Sequence, residues 1–292
     1  MQAELLVAIR CELGESPIWL DATGELVWID AAACVLHSLK PGEGTPTATR
    51  FAGQNPAGMV IETSRAGTLL VSSRDGLVLF ERESGTVTPF SHPAAAMPHL
   101  FYNDGKVDTL GRLWVGTADR RETDPRGIFY RFDGREGVPV DAGLAVCNGP
   151  AFSRDASRLY LSDSVGRRIL AYDIDAEGRL LGRREFMRFD TAEGMPDGLT
   201  VDREDCLWVA HFGGGCVSRY APDGALLARV PLPVPNVTSL CFGGADNRQL
   251  FITTAREGLD QTARAAAPFS GSVFVIRTDV AGIRNPAYRL DP

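Results

Sequence analysis

The chain has 292 residues, 44% of them hydrophobic, which is ample for a packed core and too many for a disordered segment. Its formal net charge is −7 and no stretch gathers Lys and Arg on one face, so nucleic acid and anionic membrane surfaces are excluded as partners in favour of a small molecule or a metal cation. No apolar run approaches the roughly 18 residues needed to cross a bilayer, Met1-Gln2-Ala3-Glu4 lacks the form of a secretory signal, and the six cysteines contain no Cys-x-x-Cys pair, so a cytoplasmic chain with buried thiols is expected.

The opening segment Glu4–Ile9 is an apolar strand with no repeat of its own. A turn followed by an apolar strand then recurs along the whole chain. Its copies are Gly24-Glu-Leu-Val-Trp28, Gly67-Thr-Leu-Leu70, Gly111-Arg-Leu-Trp114, Ser157-Arg-Leu-Tyr160, Asp205-Cys-Leu-Trp208 and Arg248-Gln-Leu-Phe251. Successive anchors are 42, 44, 46, 48 and 43 residues apart. Further apolar strands follow, among them Leu77–Phe80, Ile128–Phe132, Ile169–Tyr172 and Val273–Ile276. No stretch carries a helical period long enough for a core helix. Short strands at a period in the mid-forties are the mark of propeller blades. The sequence therefore predicts an all-β fold, a six-bladed β-propeller of four-stranded blades over 1–292 as one domain. The N-terminal strand is expected to pair with the last blade and remove the exposed edge.

In such a ring the start of each blade's innermost strand faces its equivalents across a central channel. Counting back 11 to 13 residues from the anchors gives Glu15, Asn103, Asn148 and Asp197, while blades two and six offer Pro56-Ala57 and Val237-Thr238. Asn-Gly and Asp-Gly are also ordinary hairpin dipeptides, and Asp75-Gly76, Asp133-Gly134 and Asp223-Gly224 are read that way. The other set falls before the inner strand at one phase, which favours a site. Two carboxylates and two amides make a hard oxygen donor set suited to Ca²⁺, Mg²⁺ or Mn²⁺. His99 and His211 could reach the channel, though a surface or core role is the plainer reading. The loop Asp119–Arg126 is long enough to fold over the channel mouth.

With these residues placed, the chain resembles the regucalcin/gluconolactonase (senescence marker protein) family. The resemblance rests on Gly14-Glu-Ser-Pro-Ile-Trp19, Asn103-Asp-Gly-Lys-Val-Asp108, Gly116-Thr117, Asn148-Gly149, Pro196-Asp-Gly198, Cys241–Gly244 and Thr253-Thr-Ala-Arg-Glu-Gly258. It implies a lactonase acting on a small sugar-type lactone, with one divalent ion, Ca, Zn, Mn, Mg or Fe(II), held by Glu15, Asn148 and Asp197. It also implies that Asn103 touches substrate or water, and that Asp197 doubles as general base. A monomer or weak homo-oligomer is expected. Two positions depart from the family pattern. Phe101 stands where an Arg is common, and Ala118-Asp119-Arg120-Arg121 stands where an acidic residue follows Gly-Thr. Phe101, Arg120 and Arg121 together suggest a lactone with fewer hydroxyls or with a carboxylate, because a guanidinium holds a carboxylate bidentately. The sequence carries no Gly-x-Ser-x-Gly element, so direct water attack is expected over an acyl-enzyme route. Two other readings compete on the same scaffold: a metal-dependent phosphotriesterase and a non-catalytic calcium-binding propeller.

Overall fold

A computed structural model describes residues 1–51, 58–73 and 76–290. Among the described residues the strands form six antiparallel sheets of four strands each, as the repeat spacing predicts. The inner strands are Gly14–Leu20, Val60–Glu62, Leu100–Val107, Cys147–Phe152, Met195–Val201 and Val237–Gly243. Each packs against the inner strands of the blades before and after it, and the last packs against the first, which closes the ring around an axis.

The six sequence anchors all fall on the second strand of their blade. These strands are Glu25–Asp30, Thr68–Ser73, Leu113–Asp119, Arg158–Asp163, Leu207–Phe212 and Gln249–Thr254. Both faces of such a strand meet a neighbouring blade, so it reads as a nearly continuous apolar run rather than an alternation. Trp28, Leu70, Trp114 and Phe251 are 0% exposed, Trp208 is 1% and Tyr160 is 2%. The hydrophobic clusters accordingly lie between blades. One joins Trp114 and Phe129 of blade three to Phe152 and Leu159 of blade four, and another joins Trp28 of blade one to Phe251 of blade six. Two of the indoles are also anchored by a buried carboxylate. Trp114 Nε1 donates to Asp108 Oδ2 at 2.9 Å and Trp208 Nε1 to Asp202 Oδ2 at 2.9 Å. That satisfies a donor which would otherwise be stranded in the core.

Ala3–Val7 adds to Val273–Arg277 as the outer strand of blade six, whose other three strands come from the end of the ring. The N-terminal segment thus does close the propeller. A six-residue helix, Gln261–Ala266, buries none of its residues and belongs to no core. Asp133-Gly134 and Asp223-Gly224 are hairpin turns with the glycines at φ 55° and 91°. Asp75 and the Pro56-Ala57 pair lie outside the described residues. No cysteine among the described residues is in a disulfide.

Candidate active site

The four phase-matched residues lie within the inner strands, near their first residues, rather than ahead of them. Glu15, Asn148 and Asp197 are the second or third residue of theirs, and Asn103 is the fourth. At that point five inner strands share one irregularity. The ladder to the second strand slips between Glu15 and Ile18, Tyr102 and Gly105, Asn148 and Ala151, Pro196 and Leu199, and Val237 and Leu240. A bulge locally bends the strand and re-aims a side chain. In four of the five blades a residue at the slip, Glu15, Asn103, Asn148 or Asp197, lines the channel cavity. The glycine after Asn148 and the one after Asp197 serve this crowding, not a hairpin. A Cβ on Gly149 would lie 2.4 Å from Leu199 N, and one on Gly198 would lie 2.6 Å from Ser239 Cα.

The four side chains line one cavity of about 140 Å³ at this mouth of the channel. Glu15 is 9% exposed and Asp197 4%, while Asn103 and Asn148 are half-buried. The two amides are locked together. Asn103 Nδ2 donates to Asn148 Oδ1 at 2.8 Å and to Cys147 O at 3.0 Å. Asn148 Nδ2 donates to Ser164 Oγ at 3.2 Å, and that hydroxyl donates on to Pro196 O at 2.7 Å. Ser162 Oγ donates to Asp197 O at 2.8 Å, so blade four holds the site strand of blade five through one serine in its second strand and another just past it. Apolar walls come from Leu13, Phe101, Val146, Met195 and Phe212.

Charge in this cavity is negative. Burial pushes the Asp197 carboxyl well above its usual range, with Asp104, Glu122 and Glu257 adding repulsion and Asn148 opposing through a hydrogen bond. Glu15 is raised likewise by burial, then by Asp197 and Asp104. Asp197 Oδ1 is buried with no hydrogen-bond partner among the described residues, and of Glu15 only Oε2 is engaged among them, by Ser16 N at 3.0 Å. Free carboxylate oxygens that repel one another beside two amide oxygens are what a hard divalent cation relieves, so the donor set fits such an ion. It comprises two carboxylates and amides. No group of three His, Cys, Asp or Glu converges anywhere among the described residues.

Sequence reasoning missed two residues. Glu122 and Glu257 stand at the rim of the same cavity, and both carboxyls are held above their ordinary range, chiefly by loss of solvent. Glu122 sits at φ 55° in the loop that follows the second strand of blade three, a left-handed position unusual for Glu. Glu257 follows the second strand of blade six and is held by its backbone, its N–H on Glu12 O at 2.9 Å and its carbonyl accepting from Asn236 Nδ2 at 2.9 Å. Both lie in segments singled out as a lid or a motif, so their sequence position was visible while their direction was not.

Phe101 lines the cavity beside Asn103. Arg120 and Arg121 do not line it. Arg120 Nε donates to Pro98 O at 2.6 Å, and the Arg121 backbone turns on Asp119 Oδ1 at 3.0 Å. His211 is fully buried against Phe189, outside the cavity lining, and burial pulls its imidazole down to about 4. His99 contributes only its carbonyl, to Arg120 N at 2.9 Å.

A closed six-bladed propeller with an acid–amide donor set at one mouth of its channel defines the class of protein. Residues 13–256 match the SMP-30/Gluconolactonase/LRE-like region, and the chain belongs to that family. It is 34% identical over 280 residues to a 6-deoxy-6-sulfogluconolactonase of Pseudomonas putida, covering 94% of each chain. It is 33% identical to an L-arabinolactonase of Azospirillum brasilense, covering 100% of this chain and 97% of the relative. Among solved structures it superposes on a calcium-binding regucalcin from Agrobacterium tumefaciens with a TM-score of 0.92 at 30% identity, covering 98% and 97% of the two chains.

Proposed function

We propose that the chain opens the ring of a neutral, hydroxylated sugar-type lactone by attack of water on the ester carbonyl, with Asp197 as base. Family membership and relatives named as lactonases support lactone hydrolysis as the activity. The observation that carries the residue assignment is the buried Asp197 carboxylate in the cavity wall beside Glu15, one oxygen unpartnered.

Glu15, Asn148 and Asp197 would hold one divalent cation, which when bound supplies Lewis acidity toward a carbonyl and offsets charge developing on its oxygen. Asp197 takes the proton that the attacking water loses, a role suited to a carboxylate held rigidly within reach of the cavity. Asn103, clamped by Asn148 and the Cys147 carbonyl, orients water or the lactone ring oxygens. Glu122 and Glu257 accept hydrogen bonds from substrate hydroxyls, and the Phe101 ring covers an apolar face of the sugar.

The charge of the wall selects the substrate class. The two relatives' names span an anionic and a neutral lactone, and sequence reasoning favoured an anionic or hydroxyl-poor one on the strength of Phe101, Arg120 and Arg121. Phe101 is in the wall, but the charged residues among the described lining are all acidic. A carboxylate on the substrate would face Glu122 and Glu257. A panel of neutral, deoxy and carboxylated lactones alongside organophosphate triesters tests this. Neutral hydroxylated lactones are expected to exceed the other lactones at least tenfold in kcat/KM, a margin of about 1.4 kcal/mol. Preferred turnover of a carboxylated lactone, or of a triester, would overturn the reading.

A further inference from the structure

The channel has a second cavity, of about 120 Å³, at the end opposite the acid–amide site. The C-terminal segment straps across it. Gly282 N donates to Asn247 O at 2.8 Å, Tyr288 N to Glu62 O at 2.8 Å, and Arg284 pairs with Asp21 at 3.0 Å. Lys106 lines this cavity from the inner strand of blade three. The chain contains only two lysines, and the other, Lys40, is exposed at the end of a strand. Lys106 Nζ donates to Leu199 O at 2.6 Å, which uses one of the three N–H groups of an ammonium. Asp104, its acidic neighbour in the same wall, is already engaged by Gly105 N at 2.7 Å and Gly149 N at 2.9 Å. The Ser239 and Thr200 positions and the Trp19 ring complete a wall that is part polar and part apolar.

Charge decides what such a wall accepts. An anion would meet the carboxylates of Asp104, Glu62 and Asp21, and a cation would meet Lys106 and Arg284. A neutral molecule meets neither penalty. The volume is roughly that of four waters, enough for a molecule of a few heavy atoms.

We infer that this cavity binds a small, neutral, hydroxylated aldehyde or ketone, captured as a reversible imine on Lys106. The Lys106 nitrogen lone pair forms a bond to the carbonyl carbon, and the carbonyl π electrons move to oxygen, which takes up the proton that nitrogen releases. The carbon–oxygen bond of this carbinolamine then breaks as Asp104 delivers to the leaving hydroxyl the proton it took from the Lys106 ammonium, leaving a protonated imine beside the Asp104 carboxylate. Ammonium plus carbonyl gives protonated imine plus water, with no change of oxidation state. Loss of solvent pulls the Lys106 ammonium below its ordinary range against the opposing attraction of Asp104, which eases release of its proton.

The test is reductive trapping. The intact chain is incubated with glycolaldehyde and cyanoborohydride, and the adduct is located by peptide mass mapping, with exposed Lys40 as internal control. The expected result is labelling of Lys106 at least tenfold above Lys40 in the folded chain, with the preference lost in denaturant. Labelling of Lys40 and the N-terminal amine alone would overturn the inference. Lys106→Arg should lose the adduct while keeping the charge beside Asp104. If that variant fails to fold, the Lys106 to Lys40 ratio in the unaltered chain still decides the matter.

Discussion

Asp197→Asn swaps one buried carboxylate for an amide of the same shape, and its consequences should differ in sign with and without divalent cation. In the metal-free chain, ionised Asp197 is opposed by burial and by Asp104, Glu122 and Glu257, and its Oδ1 has no partner. Because its folded pKa is raised, the stability contributed by this group is full below the unfolded carboxylate range and is lost as pH rises through the raised folded value. At pH 7.5 under a chelator the charge is therefore a burden. Relieving one unsatisfied buried charged atom is worth on the order of 1–2 kcal/mol. For a chain of this size about 2 °C of Tm accompanies each kcal/mol, so the variant should melt about 2–4 °C above the unaltered protein. Cation at a hundred times its Kd adds about 2.7 kcal/mol, or about 5 °C, to a protein that binds it. The variant, its Kd weakened about a hundredfold, should gain only about 0.4 kcal/mol. Scanning calorimetry at pH 7.5 and at pH 5, with chelator or with Ca²⁺, reads all four combinations, and the stability order should invert on adding cation. Acidification should raise the metal-free Tm of the unaltered chain more than that of the variant. A variant less stable under chelator, or one gaining as much from Ca²⁺, would refute the proposed role of this carboxylate.

Phe101→Arg places a hydrogen-bond donor in the cavity wall and should raise kcat/KM for a polyhydroxylated lactone about tenfold relative to its deoxy analogue, the worth of one charge-assisted hydrogen bond, in a paired-substrate assay. Arg120→Ala and Arg121→Ala, whose side chains lie outside the cavity lining, should change kcat/KM for neutral and carboxylated lactones by less than threefold in steady-state kinetics. Trp114→Ala removes a fully buried indole packed on Phe129 and Phe152 and should cost about 3–5 kcal/mol in denaturant unfolding, with any surviving activity showing an unaltered KM.

The propeller was legible because its second strands are buried on both faces. Runs such as Leu113-Trp114-Val115 and Leu207-Trp208-Val209 keep their apolar character whatever the loops do, and their spacing counts the blades. The outer strands were not legible. Thr47–Arg50 and Leu180–Arg188 are mostly exposed, and their sequences carry no sustained apolar run. The axial residues were found by phase, since Glu15, Asn103, Asn148 and Asp197 precede their anchors by a nearly constant interval. The reason for the glycine behind Asn148 and Asp197 was not visible, because the crowding it relieves comes from the next blade. Glu122 was hidden by its loop. Sequence gave Arg120, Arg121 and Glu122 as consecutive charges, and only the left-handed turn at Glu122 decides which of them reaches the cavity.

The central claim is that an acid–amide site at the channel mouth, loaded with one divalent cation, opens a sugar lactone. Its most direct test is the rate of gluconolactone and arabinolactone ring opening by the chain after exhaustive chelation, and again after add-back of Ca²⁺, Mg²⁺, Mn²⁺ or Zn²⁺, each corrected for spontaneous hydrolysis. Chelation should lower kcat/KM at least a hundredfold, at least one ion should restore it, and Glu15→Gln should resist restoration at the same ion concentration. Turnover unchanged in the stripped protein, or full activity of Glu15→Gln after stripping, would contradict the account.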